Sequence, residues 1–262
     1  MIGYNNLLNT LFDEWIEESE RNGEPRDNTE NHNIIFTKDG LIEKNDTSID
    51  IEKAWGQSDK KIMFLLKDQP SEYSDDARLW LKDLATDNEK AKSKKEGNRS
   101  LRPKFVHNLA NLLWGLYNAT AVNDCWLGES THEKVQKTFN TMPFAFVESK
   151  KQGGKASLDS ATLRTYLDRY GHLLKREIEI LNPNIIVCTN EEIYDFVLNL
   201  YPKNELIGFG KGHNSIRYHL KSSTIILCSY HPSAIMSAEN FYEGVMFHYR
   251  AFLHSNYAKT LE

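Results

Sequence analysis

Residues 224–234 read Thr-Ile-Ile-Leu-Cys-Ser-Tyr-His-Pro-Ser-Ala, and this stretch sets the expected fold. Its apolar run, residues 225–228, is typical of a buried strand. The strand must end by His231 and Pro232, because proline cannot continue a central ladder of hydrogen bonds. His231 is therefore expected just beyond the carboxyl end of a strand, where open α/β sheets bind their ligands. On spacing alone, a plain turn is the alternative interpretation of this His-Pro pair.

Three more continuous apolar runs predict buried strands, and helical patterns separate them. These runs are residues 61–66, 142–147 and 184–188. Continuously apolar strands that alternate with helices are typical of a parallel sheet covered by helices on both faces. We therefore predict an α/β fold, a three-layer αβα sandwich with a central four-stranded parallel sheet, in one domain over residues 1–262. Residues 1–50 are expected to form a helical and loop extension packed on that domain.

The bulk composition is that of a soluble globular protein. The net charge is −5, with 26% charged and 40% hydrophobic residues. The sequence has no apolar run long enough to span a membrane, and its N-terminus lacks the features of a signal peptide. The three cysteines are scattered, which argues for a reducing compartment and against a disulfide framework or a cysteine-only metal site. The cytoplasm is the expected location, and no metal or other cofactor is expected.

A basic segment spans residues 90–104, where seven lysines and arginines accompany a single acid. Such a segment suits an arm that contacts DNA phosphates, and its affinity would then fall steeply with rising salt. A solvated charge run is the alternative interpretation. The candidate DNA-binding residues in this segment are Lys94, Lys95, Arg99 and Arg102.

Polar side chains lie at the predicted carboxyl ends of all four strands. They are Asp68, Glu148, Asn190 and His231. Because the carboxyl ends of parallel strands meet at one edge of a sheet, we expect these residues to converge. Two carboxyl groups and a histidine around a cleft suit hydrolysis, since a carboxylate can stabilise a cation or orient water while histidine donates to a leaving group. The structural alternatives are a helix N-cap for Asp68 and an exposed acid paired with a following lysine for Glu148.

Two short motifs make the chain resemble the uracil-DNA glycosylase superfamily. Lys67-Asp68-Gln69-Pro70 is similar to the motif after that family's first strand, and His231-Pro232-Ser233-Ala234 is similar to the motif after its last strand. Phe146-Val147-Glu148 resembles the strand whose terminal asparagine reads the base. Residues 175–189 resemble the helix-Pro-strand segment that precedes the last strand. The resemblance covers about residues 61–253.

The resemblance implies that a base is flipped out of DNA into a pocket and that its N-glycosidic bond is hydrolysed without a cofactor. It implies that His231 stabilises the negative charge on the departing base and that Asp68 stabilises the sugar cation or holds the water. Residues 233–237 would press into the gap in the duplex, with Ile235 or Met236 as the wedge. The candidate base-binding residues are Gln69, Tyr73, Glu148 and Asn190. The candidate DNA-binding residues outside the basic segment are Lys150, Lys151, Ser233, Ile235 and Met236.

Glu148 stands where the uracil-reading members of that family carry asparagine. An ionised carboxylate only accepts hydrogen bonds, so we expect it to read an exocyclic amine such as that of cytosine. Ser71 is small and leaves room for a substituent on the base. The expected target is therefore a modified cytosine or another modified or damaged pyrimidine, which suggests defence against modified phage DNA.

The expected partner is DNA, either as a duplex with a flipped base or as a single strand, bound by a monomer without a membrane. Three other functions stay open. They are a uracil-DNA glycosylase in base-excision repair, a non-catalytic nucleic-acid-binding module with the same fold, and a nucleoside hydrolase for small molecules. Gln69, not aspartate, directly precedes Pro70, so the position of the catalytic acid is also open.

Overall fold

The computed structural model describes residues 3–24, 36–68, 76–86, 103–153, 158–210 and 215–258. The strands in this part of the chain are β1 (Gly40–Leu41), β2 (Ile62–Leu66), β3 (Phe144–Glu148), β4 (Ile185–Cys188), β5 (Leu206–Phe209), β6 (Ile216–His219) and β7 (Thr224–Cys228). Its helices are α1 (Tyr4–Arg21), α2 (Ile51–Gln57), α3 (Ala77–Thr86), α4 (Pro103–Asn118), α5 (His132–Thr141), α6 (Ser160–Leu181), α7 (Glu191–Leu198) and α8 (Ala238–Leu253). Among these residues, none of the helices combines the length and the apolar character needed to cross a membrane. The chain is an α/β protein.

The four predicted strands form the parallel centre of the sheet. Strand β2 pairs in parallel with β3 on one side and with β4 on the other, and β4 pairs in parallel with β7. In this register Met63 of β2 lies between Ala145 of β3 and Ile186 of β4. Every residue of the four strands is buried. Burial on both faces explains why their sequences are apolar throughout instead of alternating with polar residues.

The sheet as a whole is mixed and has seven strands within the described residues, so the prediction of a four-stranded parallel sheet is wrong. The strand order is β1-β3-β2-β4-β7-β6-β5. Strand β1 adds antiparallel to β3, and β5 and β6 form an antiparallel hairpin that extends the sheet from β7. The sequence pattern missed β5 and β6, because no residue of β5 is fully buried and β6 reads Ile-Arg-Tyr-His, in which polar residues interrupt the apolar run. Short, half-exposed strands carry little apolar periodicity.

Side chains of the central strands point alternately into two helical layers. Ile62, Phe64 and Leu66 of β2 pack in the core formed with α4, α5 and α8, whereas Met63 and Leu65 pack in the core formed with α1, α6 and α7. Successive side chains of a strand point to opposite faces, so one strand contributes to both cores. Helices therefore cover both faces of the sheet, and α1, from the first 50 residues, packs along α6.

Candidate functional site

The carboxyl ends of the parallel strands meet at one edge of the sheet, in what we call the strand-end site: Asp68, Glu148, Asn190 and His231. The next described helices after β2, α3 and α4, pack in one core, whereas α7, which follows β4, packs in the opposite one. The adjacent strands β2 and β4 therefore flank a topological switch point. Open α/β sheets bind ligands in the crevice at such a point.

Asp68 is a partly buried carboxyl group two residues beyond β2. Its Oδ2 atom is shielded from water and has no hydrogen-bond partner among the described residues. Burial raises the pKa of Asp68 from its usual 3.8 to about 6, against the opposing charges of Lys150 and Lys67. At neutral pH this carboxyl is therefore ionised, and it takes up a proton in mildly acidic solution.

Glu148 ends β3 and is only 2% exposed. Its backbone N–H donates to Oδ2 of Asp39 at 2.7 Å, while its side-chain Oε2 has no hydrogen-bond partner in the described part of the chain. Burial raises the pKa of Glu148 well above its usual 4.5, and the negative charges of Asp68 and Asp39 raise it further. Burial therefore favours the neutral form of this side chain, and the alternative of an exposed acid paired with a lysine is wrong.

A neutral Glu148 changes what the strand-end site offers a ligand. The expectation of an amine as its partner assumed an ionised carboxylate, which only accepts hydrogen bonds. A protonated carboxyl group has one O–H donor and one carbonyl acceptor, so it resembles the donor and acceptor pair of an asparagine amide. In the β2–β3 register Glu148 pairs with Leu66, two residues before Asp68.

Lys151 belongs to a fully enclosed group that we call the buried ion cluster: Asp39, Lys151 and Glu177, each 0% exposed. Its Nζ lies 2.7 Å from both carboxyl oxygens of Asp39 and 2.7 Å from Oε2 of Glu177. The same ammonium packs over the rings of Phe12 and Trp15. The prediction that Lys151 contacts DNA is therefore wrong, because its charge is sealed inside the protein.

Lys150 precedes Lys151 in the chain and is only partly buried. Its positive charge acts on Asp68 of the strand-end site. Its ammonium donates to the carbonyl oxygen of Gln152, and burial lowers the pKa of Lys150. Its backbone N–H donates to the carbonyl of Lys67 at 2.8 Å, which continues the β2–β3 pairing beyond the strands. The charges of Lys150 and Lys67 both lower the pKa of Asp68. Among the described residues, Lys150 and Lys67 are thus the cations that act on Asp68.

His231 lies three residues beyond β7, as predicted from its position before Pro232. Its Nδ1 accepts a hydrogen bond from the backbone N–H of Ser233 at 3.2 Å. Burial, with the nearby charge of Lys67, lowers the pKa of His231 to about 4, so the ring is neutral at pH 7. A neutral imidazole that accepts at Nδ1 carries its proton on Nε2, which is then the donor available to a ligand.

Helix α4 supports the His231 loop. The ring of Phe105 lies 5.6 Å from the imidazole, centroid to centroid. The side-chain amide of Asn108 donates to the carbonyl oxygen of Pro232 at 2.7 Å. A histidine packed on one side and bonded at Nδ1 has little rotational freedom, so its donor is oriented before any ligand binds.

The loop after His231 exposes an apolar side chain. Ile235 is 100% exposed, whereas Met236 is partly buried against the core on the α4 face, and Ser233 is partly buried beside the histidine. The N–H of Ala234 donates to the carbonyl of His231 at 2.8 Å, which closes the turn. Of the two predicted wedge residues, Ile235 is the one that projects freely into solvent.

Asn190 follows β4 and begins α7 as its N-cap. Its Oδ1 accepts from the backbone N–H groups of Glu192, at 2.9 Å, and Ile193, at 3.4 Å. The carbonyl oxygen is therefore engaged within the protein, and a ligand could reach only the amide Nδ2. The predicted site residues Gln69, Tyr73, Lys94, Lys95, Arg99 and Arg102, and also Ser71, lie outside the described residues.

The sequence analysis did not identify Lys67 and Asp39, whose charges act on the residues of the strand-end site. Lys67 has the same positional signal as Asp68, since it directly follows a predicted strand. Asp39 has none, because its contact with Glu148 joins residues 109 positions apart in the chain. No local pattern records a contact of that range.

Comparison of the chain with protein families, with curated proteins and with solved structures finds no match. Within the described residues, no group of three or more His, Cys, Asp and Glu side chains is arranged to hold a metal ion.

Proposed function

We propose that the protein is a DNA glycosylase that hydrolyses the N-glycosidic bond of a flipped-out pyrimidine and leaves an abasic site. The observation that carries the proposal is that Asp68 and His231 follow parallel strands β2 and β7 of one sheet and that the charge of Lys67 acts on both, with Asp68 ionised and His231 neutral at pH 7. The unpartnered Oδ2 of Asp68 and Oε2 of Glu148 add to it. Buried polar atoms without partners are rare, and in a crevice they are candidates for ligand contacts.

The two catalytic roles follow from the charge states. As the bond to the base breaks, negative charge develops on the base, and Nε2–H of His231 donates a hydrogen bond to it. Positive charge develops on the sugar, and the carboxylate of Asp68 stabilises it or orients the attacking water. Both groups are in the required form at neutral pH, since the pKa of Asp68 is about 6 and that of His231 is about 4.

Glu148 reads the base in this proposal, and its neutral form widens the choice of target. Its O–H and carbonyl oxygen match the amine and ring nitrogen of cytosine, and they match the carbonyl oxygen and ring N–H of uracil equally well. Selection of a modified cytosine would then depend on the space beside the ring. A modified-cytosine target would suit defence against modified phage DNA, and uracil would suit repair.

The test is release of abasic sites from oligonucleotides carrying uracil, hydroxymethylcytosine or glucosylated hydroxymethylcytosine, as duplexes and as single strands. Wild type is compared with His231→Ala and with His172→Ala, a control at an exposed histidine on α6. We expect His231→Ala to lower turnover by about 10²- to 10⁴-fold, the range for a positioned acid or base. His172→Ala should match wild type.

The substrate that yields product identifies the base that Glu148 reads. Absence of product from every substrate would overturn the catalytic proposal. Tight DNA binding retained in that case would instead favour the non-catalytic binding module.

A further inference from the structure

A cavity lies between residues of α4, α5 and the segment that joins them. Its volume is 590 Å³, and we call it the α5 groove: Trp114, Trp126, Thr131, Lys134, Lys137 and Thr141. The lining extends from Thr131, the N-cap of α5, to Thr141 at the end of that helix. Ten helical residues span roughly 15 Å, so the groove is elongated. Among the described residues, those of the strand-end site do not line it.

The indole of Trp126 is an exposed ring that the protein holds in place. It is 63% exposed, and the Arg250 guanidinium lies 3.8 Å from its centroid. Arg250 is itself fixed, because it bonds Glu243 at 2.6 and 3.1 Å and the carbonyl of Asp124 at 2.7 Å. One face of the indole is therefore backed by a rigid cation, and the exposed part of the ring is ordered without a ligand. A pre-ordered aromatic surface of this kind suits stacking of a base.

The facing wall of the groove is basic. Lys134 and Lys137 lie one turn apart on α5, and Lys134 Nζ is 3.8 Å from the centroid of the Trp114 ring. Burial lowers the pKa of Lys134, which shows that its ammonium is partly removed from water. Glu133 is the one acid among the lining residues that the structure describes. The charge balance of the wall therefore favours an anionic ligand.

Two indoles beside two ammonium groups match a particular class of ligand. Single-stranded nucleic acid binds through unstacked bases on aromatic rings and phosphates on cations. A duplex hides the faces of its bases, and a neutral carbohydrate would stack on tryptophan without a need for lysines. An elongated groove also suits a chain better than one compact molecule.

Helix α4 connects the groove with the strand-end site. At the groove end, Ser130 Oγ lies 3.0 Å from His107 Nδ1 and accepts from the amide of Asn111 at 2.9 Å. Between these two residues, Asn108 bonds the carbonyl of Pro232 beside His231. The same helix thus carries contacts to the rim of the groove and to the catalytic loop.

We propose that the α5 groove binds a single-stranded segment of nucleic acid, with a base stacked on Trp126 and phosphates on Lys134 and Lys137. The choice of DNA as the source of the strand rests on the proposed glycosylase function. The groove would then hold nucleotides that flank the flipped base, so the protein would prefer single-stranded or locally opened substrates.

The test is the affinity of the full-length chain for a short oligothymidylate, measured by tryptophan fluorescence and by filter binding. Base stacking on an aromatic side chain predicts about a 5- to 150-fold loss of affinity in Trp126→Ala, with an intermediate loss in Trp126→Phe. The double variant Lys134→Gln/Lys137→Gln should lower the slope of log affinity against log salt by about 1.4, since each phosphate contact to a single strand contributes about 0.7. Phe247→Ala, at an aromatic residue 66% exposed on α8, and Lys203→Gln, at an exposed lysine before β5, are the matched controls.

Equal affinity of Trp126→Ala and Phe247→Ala would overturn the proposal. Thymidine 5′-monophosphate that binds as tightly as the oligonucleotide would also overturn it, because the groove would then hold one nucleotide and no strand. Binding of a maltooligosaccharide at the groove in place of the oligonucleotide would do the same. The binding assay requires no turnover, so binding of the oligonucleotide in the α5 groove can be established even if the glycosylase proposal fails. Conversely, if the groove does not bind the oligonucleotide, release of abasic sites from an already flipped base is unaffected.

Discussion

Two groups of carboxyl side chains lie on either side of β3 and differ in one respect. In the buried ion cluster, Lys151 neutralises Asp39 and contacts Glu177, and all three side chains are 0% exposed. In the strand-end site, Asp68 and Glu148 each keep a buried oxygen without a partner among the described residues. Both carboxyl oxygens of Glu177 also lack a hydrogen bond among the described residues, so the two groups differ in the cation: Lys151 lies 2.7 Å from Asp39 and from Glu177, whereas Asp68 and Glu148 have no ion pair in the described part of the chain. A cation in contact offsets the cost of burying a carboxyl group, whereas a carboxyl oxygen without a partner in a crevice is a candidate for a ligand contact.

The charge states of the two groups follow the same logic. Burial and the charge of Asp39 raise the pKa of Glu177 well above its usual value, which favours its neutral form beside Lys151. In the strand-end site the nearby Asp68 and Asp39 charges help to keep Glu148 neutral. The cluster therefore also tunes the site, since Asp39 accepts the backbone N–H of Glu148.

The largest expected effect comes from breaking the cluster with Lys151→Met. The change leaves Asp39 and Glu177 buried without their cation, and loss of one partner of a buried ion pair costs about 3 to 5 kcal/mol. Urea unfolding measures the free energy of unfolding. The control is Lys150→Met, one residue away and partly exposed, for which we expect a change within about 1 kcal/mol. If Lys151→Met and Lys150→Met lower the free energy of unfolding equally, the proposed difference between the buried ion cluster and the strand-end site is wrong.

The second effect is a pH-dependent gain in stability in Glu148→Gln. The unfolded chain releases the Glu148 proton near the usual 4.5, while the folded chain keeps it to a much higher pH. Between these two pKa values wild-type stability falls as pH rises, by about 1.4 kcal/mol per pH unit for one proton. Glutamine has no proton to release, so the variant should gain on wild type as the pH rises above about 5, up to the raised pKa of folded Glu148.

Urea unfolding at several pH values checks the Glu148→Gln prediction. Glu179→Gln, at an exposed glutamate on α6, serves as the control and should show no such gain. A difference between Glu148→Gln and wild type that stays constant with pH would show that folded Glu148 is ionised.

The third effect concerns Asn190, a strand-end residue whose carbonyl oxygen is partnered. Asn190→Ala removes the N-cap of α7 and should cost about 1 kcal/mol, whereas Asn190→Asp keeps a capping oxygen and should cost less. Thermal unfolding gives both values. If Nδ2 also contacts the base, Asn190→Asp will retain stability but lose turnover. Turnover that falls only as stability falls would assign Asn190 to the helix alone.

The smallest effect is a shift of the acidic limb of turnover in Lys150→Gln. Asp68 acts as an anion, so turnover rises with pH as the solution passes its pKa of about 6. Loss of the Lys150 charge destabilises the anion and raises that pKa, so the limb should move to higher pH by a fraction of a unit. Profiles of kcat/KM against pH measure the shift, with Lys175→Gln on α6 as the control. A limb that moves to lower pH would contradict the assignment to Asp68.

Local pattern was enough to predict several parts of the molecule. The four parallel strands are continuously apolar because helices cover both of their faces. Each residue of these strands is buried, so the amino-acid sequence of each strand shows the burial directly. The positions of Asp68, Glu148, Asn190 and His231 follow from the strand ends, since all parallel strands end at the same edge. Strands β5 and β6 were missed because β5 is half-exposed and polar residues interrupt the apolar run of β6.

Residue type and position along the chain established which side chains stand at the strand ends, but not the protonation state or the burial of those side chains. Lys150 and Lys151 are adjacent and chemically alike, yet Asp39 seals Lys151 inside the protein across 112 positions of sequence. The same Asp39, 109 positions from Glu148, helps to hold that carboxyl neutral and so gives it a donor as well as an acceptor. Burial and charge partners act through space and not along the chain. The apolar pattern could therefore place these side chains at the sheet edge, while the folded packing set their protonation and left Asp68 and Glu148 with oxygens for a ligand.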